Sequence, residues 1–83
     1  MDYELQADLE AVRFVLSLKR SDCTRLIRWM DQLKDLPFTE GQLTVLDATG
    51  REIQVSKMDK FLVYHWTDHP VKTVRVLKIE INA

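Results

Sequence analysis

The period of the sequence changes at Leu36-Pro37, and this change constrains the fold more than any other feature. Proline disfavours the α conformation in the residue before it, so a helix has to stop there. Ahead of that point Leu9, Val12 and Leu16 share one helical face, widened by Ala11, Val15 and Leu18, and the spacing predicts a buried helix from Leu9 to about Leu18. Ser21 reads as the N-cap of a second helix carrying Cys23, Leu26, Ile27, Met30 and Leu33. Arg25, Arg28, Gln32 and Asp35 fall on its opposite face. Two helices meeting at Lys19-Arg20 make a hairpin. Residues Tyr3 to Ala7 fit either a short edge strand or the first turn of a helix.

Beyond Pro37 the texture becomes β-branched and aromatic, with candidate strands at Leu43 to Leu46, Arg51 to Ser56, Lys60 to Thr67 and Val71 to Ile81. Asp47-Ala48-Thr49-Gly50 and Thr67-Asp68-His69-Pro70 read as turns. Links this short favour antiparallel neighbours, because a parallel pair needs a crossover of about a dozen residues or more. In the strand from Lys60 to Thr67, Leu62, Tyr64 and Trp66 alternate with Phe61, Val63 and His65, so both faces carry apolar groups, as in a central strand. The expected fold is α+β: an N-terminal helical hairpin packed on a C-terminal antiparallel sheet of three to four strands. The second sheet face is left as a partly apolar surface, which points to a partner.

With 83 residues there is room for one core, so residues 1–83 form a single domain. Apolar residues make up 46% and charged residues 30%, the balance of a folded globular chain. The single cysteine, Cys23, cannot pair within the chain, and a core this small gains from a partner subunit or homo-oligomer. No apolar run is long enough to cross a bilayer and Met1-Asp2-Tyr3-Glu4 is not a basic leader, so a cytoplasmic location and no membrane contact are expected. Twelve Lys and Arg against thirteen Asp and Glu give a net charge of -1, without the basic excess of most nucleic-acid-binding domains.

The residues that could carry chemistry are few. His65, Asp68 and His69 suggest acid-base work near neutral pH, although Asp68-His69-Pro70 reads more simply as a turn. His65 and His69 are four apart on a strand and turn rather than on a helix, so no metal is expected, and no phosphate loop or dinucleotide fingerprint calls for a cofactor. Cys23, on an apolar helix face, reads as a small hydrophobe. Arg51, Lys57, Lys60, Arg75 and Lys78 could converge on an RNA-facing patch or sit on solvated strand edges. Trp66 is expected in the core with Leu62 and Tyr64, and Trp29 at a partner contact.

Three strings sit in this layout: Gly50-Arg51-Glu52-Ile53-Gln54-Val55, Phe61-Leu62-Val63-Tyr64-His65-Trp66 and Val74-Arg75-Val76-Leu77-Lys78-Ile79. They resemble the consecutive strands of the RelE/ParE toxin superfamily of bacterial toxin-antitoxin modules, and the resemblance spans nearly the whole chain. It implies a toxin-fold protein that binds a cognate antitoxin and, if active as a ribonuclease, cleaves mRNA at the ribosome. In that case His65 would take the proton of a ribose 2'-hydroxyl, with Arg75, Lys60 and Arg51 facing the phosphate, while Phe61 and Lys78 complete an RNA- or partner-binding surface. The family's ribonucleases use lysines and an arginine at places that here match Glu52, Gln54 and Phe61, which cannot neutralise a developing phosphorane charge. Their basic and tyrosine residues after the last strand have no counterpart beyond Ile81. Two other readings follow: a non-catalytic interaction module of the same fold, and a ParE-type gyrase inhibitor.

Overall fold

The computed structural model describes residues 2–82. Strand β1 (Glu4–Ala7) leads into helix α1 (Leu9–Leu16) and helix α2 (Arg20–Gln32), which runs on as a 3-10 turn at Leu33–Asp35. Four strands follow: β2 (Leu43–Leu46), β3 (Glu52–Met58), β4 (Phe61–Asp68) and β5 (Thr73–Ile81). They form one five-stranded sheet in the order β1-β5-β4-β3-β2, with β4 in the middle as its two-sided pattern predicts.

Leu36 leaves the helical region, with φ -131° and ψ 59°, as the following proline requires. Ser21 is corrected as the N-cap: the second helix starts two residues earlier, with Lys19 as the N-cap residue, its carbonyl taking the Cys23 amide at 2.9 Å, and Ser21 inside the first turn. The β2-β3 turn is closed by Asp47, whose Oδ1 accepts from the amides of Thr49 and Arg51 at 2.8 and 2.9 Å. Gly50 stands there at φ 83°, where a side chain would be strained.

A second correction concerns the sheet. The four C-terminal strands are antiparallel neighbours as expected, and the N-terminal segment, open between strand and helix turn in the sequence, supplies a fifth strand that makes the sheet mixed: β1 pairs in parallel with β5, Glu4 opposite Thr73 and Ala7 opposite Val76. Short links govern only sequential neighbours. The crossover from β1 to β5 is the whole chain between Ala7 and Thr73, ample for a parallel pair.

A third correction concerns α1. Its buried side is Ala11 and Val15, flanked by Phe14 and Leu18, while Leu9, Val12 and Leu16 are 62%, 38% and 70% exposed. The helix is apolar on two sides, and the side bearing the small Ala11 allows the closer approach to β5. With Leu26, Met30 and Leu33 these residues cover Phe61, Val63, Val74, Val76 and Ile79 on one face of the sheet. Cys23 is half-buried against this core.

Candidate functional site

The pairing register assigns each side chain of the sheet to a face, since directly opposed residues point the same way. Phe61, Val63 and His65 face the helices. Leu62, Tyr64 and Trp66 face the open side, opposite Glu80, Lys78 and Arg75 on β5, and Leu62 and Tyr64 lie opposite Lys57 and Val55 on β3. A bulge at Leu77 keeps Lys78 and Arg75 on that side although they are three residues apart.

This separates the sequence-predicted site. His65 is 2% exposed beneath the helices; its Nε2 shares a 2.7 Å hydrogen bond with Ser56 Oγ, and its ring meets Trp29 edge to face at 6.3 Å. Burial pushes its pKa down from 6.5 to about 4, so the ring is neutral at physiological pH. Arg75 lies on the other face of the sheet, so the two residues assigned to catalysis are not brought together. Phe61 is 1% exposed and packs edge-on against Phe14 at 6.0 Å, a core residue rather than a binding one. Lys60, on the β3-β4 turn, reaches Asp22 Oδ2 at 3.2 Å, and Arg25 bridges Asp22 and Asp59. That network fastens α2 to the turn at the end of β4 remote from Trp66.

What the open face does assemble is a row of cations and aromatic rings. The Arg51 guanidinium lies 3.9 Å from the centre of the Trp66 ring, and Arg75 is the cross-strand neighbour of Trp66. One step along, Lys78 Nζ lies 4.5 Å from the centre of Tyr64, whose hydroxyl donates to Glu80 Oε1 at 2.6 Å. That hydrogen bond raises the Tyr64 pKa and is the main cause of the lowered pKa of Glu80. Neither group is therefore poised to accept a proton and deliver it near neutral pH. Trp66 Nε1 is buried without a hydrogen-bond partner among the described residues, so its N–H is unsatisfied. The expectation that Trp66 lies in the core is corrected: the alternation of β4 is as predicted, but its tryptophan side is the one without helices. Trp29, expected at a partner contact, is instead half-buried against His65.

At the Trp66 end of β4 a cleft of about 430 Å³ opens between the Pro37–Glu40 segment and the strands, lined by Phe38, Arg51, Gln54, Trp66 and His69 among others. Phe38 stacks on His69 at 4.7 Å, and His69 Nδ1 bonds the Tyr3 hydroxyl at 2.8 Å. Sequence reading missed this cluster because Tyr3, Phe38 and His69 come from three separated segments. Among the described residues no group of three His, Cys, Asp or Glu side chains is placed to hold a metal ion, and no helix is long and apolar enough to cross a membrane.

The second surface lies on the helices. Val12, Val15, Leu16, Ile27 and Met30 line an apolar groove of about 120 Å³, continued by a larger cleft at Leu5, Thr24 and Arg28. Ile27 is 48% exposed at its rim.

Two helices on one face of a mixed five-stranded sheet give this chain a RelE-like fold, a likeness carried by solved structures. Two solved structures are similar over the full chain. One is a chain of the archaeal RelE-RelB complex from Pyrococcus horikoshii OT3, with a TM-score of 0.76 and 15% identity, covering 100% of this chain and 98% of that one. The other belongs to the toxin-antitoxin complex RelBE2 from Mycobacterium tuberculosis, with a TM-score of 0.80 and 13% identity, covering 98% of this chain and 99% of that one. No family model matches the sequence, and no curated protein matches it.

Proposed function

We propose that this protein is the toxin-fold component of a toxin-antitoxin module and that its main act is to dock an antitoxin. The observation that carries this reading is the apolar groove between α1 and α2. Leu16 and Ile27 line it and stand 70% and 48% exposed. An amphipathic segment with apolar residues at helical spacing would bury this strip. One of the similar structures is named as a toxin-antitoxin complex and another as a RelE-RelB complex, which supports the class of partner.

A second reading, mRNA cleavage at the ribosome, draws on the open face. Arg51, Arg75 and Lys78 supply cations for phosphates, and Trp66 and Tyr64 supply rings for bases. In such a reaction the 2'-oxygen loses its proton and bonds to the adjacent phosphorus, the bond to the next nucleotide's 5'-oxygen breaks and that oxygen takes up a proton, leaving a 2',3'-cyclic phosphate, while these cations hold the phosphate. His65 cannot take the proton from behind the sheet, so this face argues for contact with RNA more strongly than for its hydrolysis.

Induced expression in a bacterial host, with mapping of mRNA 5' ends, tests both readings. Growth arrest relieved by co-expression of an antitoxin, and not relieved for Leu16→Lys/Ile27→Lys, supports the docking reading. Arrest relieved equally for that variant sinks the groove as the docking site. New mRNA ends that disappear in Arg51→Ala/Arg75→Ala establish cleavage; arrest without new ends points to gyrase or another protein target. Unimpaired growth with folded protein leaves the non-catalytic module.

A further inference from the structure

The sheet has two edges, and they are guarded differently. Edge strand β1 carries Glu4 with Asp2 and Asp8 beside it, so antiparallel pairing of two copies would bring carboxylates together. Edge strand β2 reads Leu43-Thr44-Val45-Leu46, with no charge, proline or glycine within it, and Leu43 and Leu46 are 58% and 69% exposed. An edge of this composition is a template for another strand.

The hairpin register shows which backbone groups are free. Asp47 N–H donates to Arg51 C=O at 3.0 Å, so Asp47 and Arg51 form the closing bonded pair. Bonded pairs alternate along an antiparallel ladder, so Val45 bonds Ile53 and Leu43 bonds Val55, whereas Thr44 and Leu46 direct their N–H and C=O outward. These two outward residues flank Val45 symmetrically. If a second copy pairs with its own β2 about a two-fold axis through Val45, Thr44 of each copy exchanges both hydrogen bonds with Leu46 of the other. All the outward groups of the strand are then satisfied. Val45 faces Val45 in a close, non-bonded pair on the open side, Leu43 falls opposite Asp47, and no like charges are opposed.

We infer that β2 is a self-association edge, through which two copies of this chain join antiparallel into a continuous ten-stranded sheet. Two strands of four residues bury less than the roughly 1,000 Å² of a stable interface, so the dimer is reversible and concentration-dependent. It leaves the groove on α1 and α2 free and is independent of the docking reading.

Sedimentation equilibrium of the full chain, from low micromolar to near-millimolar protein, tests the inference. The wild type is expected to move from monomer towards dimer mass, and a monomer throughout overturns the proposal. Thr44→Pro removes an outward N–H from each copy without removing a backbone bond to β3, although it also removes the exposed Thr44 hydroxyl bond to Gln54 Oε1; it is expected to weaken association roughly thirtyfold through two lost intermolecular hydrogen bonds. Association as strong as the wild type would place the contact elsewhere. Val45→Lys and Val45→Glu, each checked for native circular dichroism, are expected to be monomeric alone and to pair when mixed. Failure of the folded mixture to pair overturns the register.

Discussion

His65 occupies the middle of β4, on the face that carries the helices, and is 2% exposed. Its hydrogen bond to Ser56 and its edge contact with Trp29 make it a structural residue. Because burial holds the folded-state pKa near 4, below the ordinary 6.5, the charged ring is disfavoured in the fold. The associated stability is fully present above about pH 6.5 and is lost as pH falls towards 4, on the order of 3 kcal/mol. Denaturant melts between pH 7.5 and 4 should show this loss, and His65→Phe should flatten it. His65→Ala should cost about 2–4 kcal/mol by leaving a cavity and stranding the Ser56 hydroxyl, while the purified, still-folded fraction keeps the proposed docking of an antitoxin. A variant that is fully stable yet inactive would restore His65 as a catalytic group.

At the scale of elements, positions that look unremarkable decide how pieces meet. Gly41 lies against the backbone of β3, where a Cβ would come within 2.4 Å of Val55 O, and its amide donates to Gln54 Oε1 at 2.8 Å. Gly41→Ala should therefore displace the Pro37–Gln42 segment and destabilise the fold by roughly 1–3 kcal/mol, measurable as a lowered urea midpoint at unchanged slope. Leu16 is the converse case. It belongs to the apolar pattern of α1 but is 70% exposed, so Leu16→Lys should change stability by no more than about 0.5 kcal/mol while weakening antitoxin binding in a titration. A large loss of stability would mean that the groove belongs to the core.

For the molecule as a whole, the parallel pairing of β1 with β5 ties the start of the described chain to its end and covers the β5 edge. Glu4 N–H donates to Lys72 C=O and Asp8 N–H to Val76 C=O, each at 2.9 Å, so by the same alternation the Gln6 amide points at β5. Gln6→Pro should remove that bond and cost about 2–3 kcal/mol, with hydrogen exchange of the β5 amides rising first. An unchanged melt would show that β1 contributes little to closing the sheet.

Element types were legible in the sequence because they depend on local chemistry. The stop at Leu36-Pro37, the Asp47–Gly50 turn, strand β2 to the residue and the two-sided central strand all follow from period, proline geometry and turn residues. A carboxylate capping its own turn needs no distant partner. The sidedness of α1 and the assignment of Trp66 were not legible in the same way. Leu9, Val12 and Leu16 compete with Ala11 and Val15 for one sheet face, and Trp66 competes with His65, and a pattern with two apolar sides does not say which side is covered. Packing made that choice by close approach at Ala11 and by the limited helix available to cover the sheet. The separation of His65 from Arg75, the meeting of Arg51 with Trp66 and the parallel β1-β5 pair likewise depend on contacts between residues far apart in the chain. Period and turn chemistry place the two helices and the four C-terminal strands to within a few residues, whereas the strand at Glu4–Ala7 and the choice of buried faces come from the folded molecule, because burial is settled between elements and not within them.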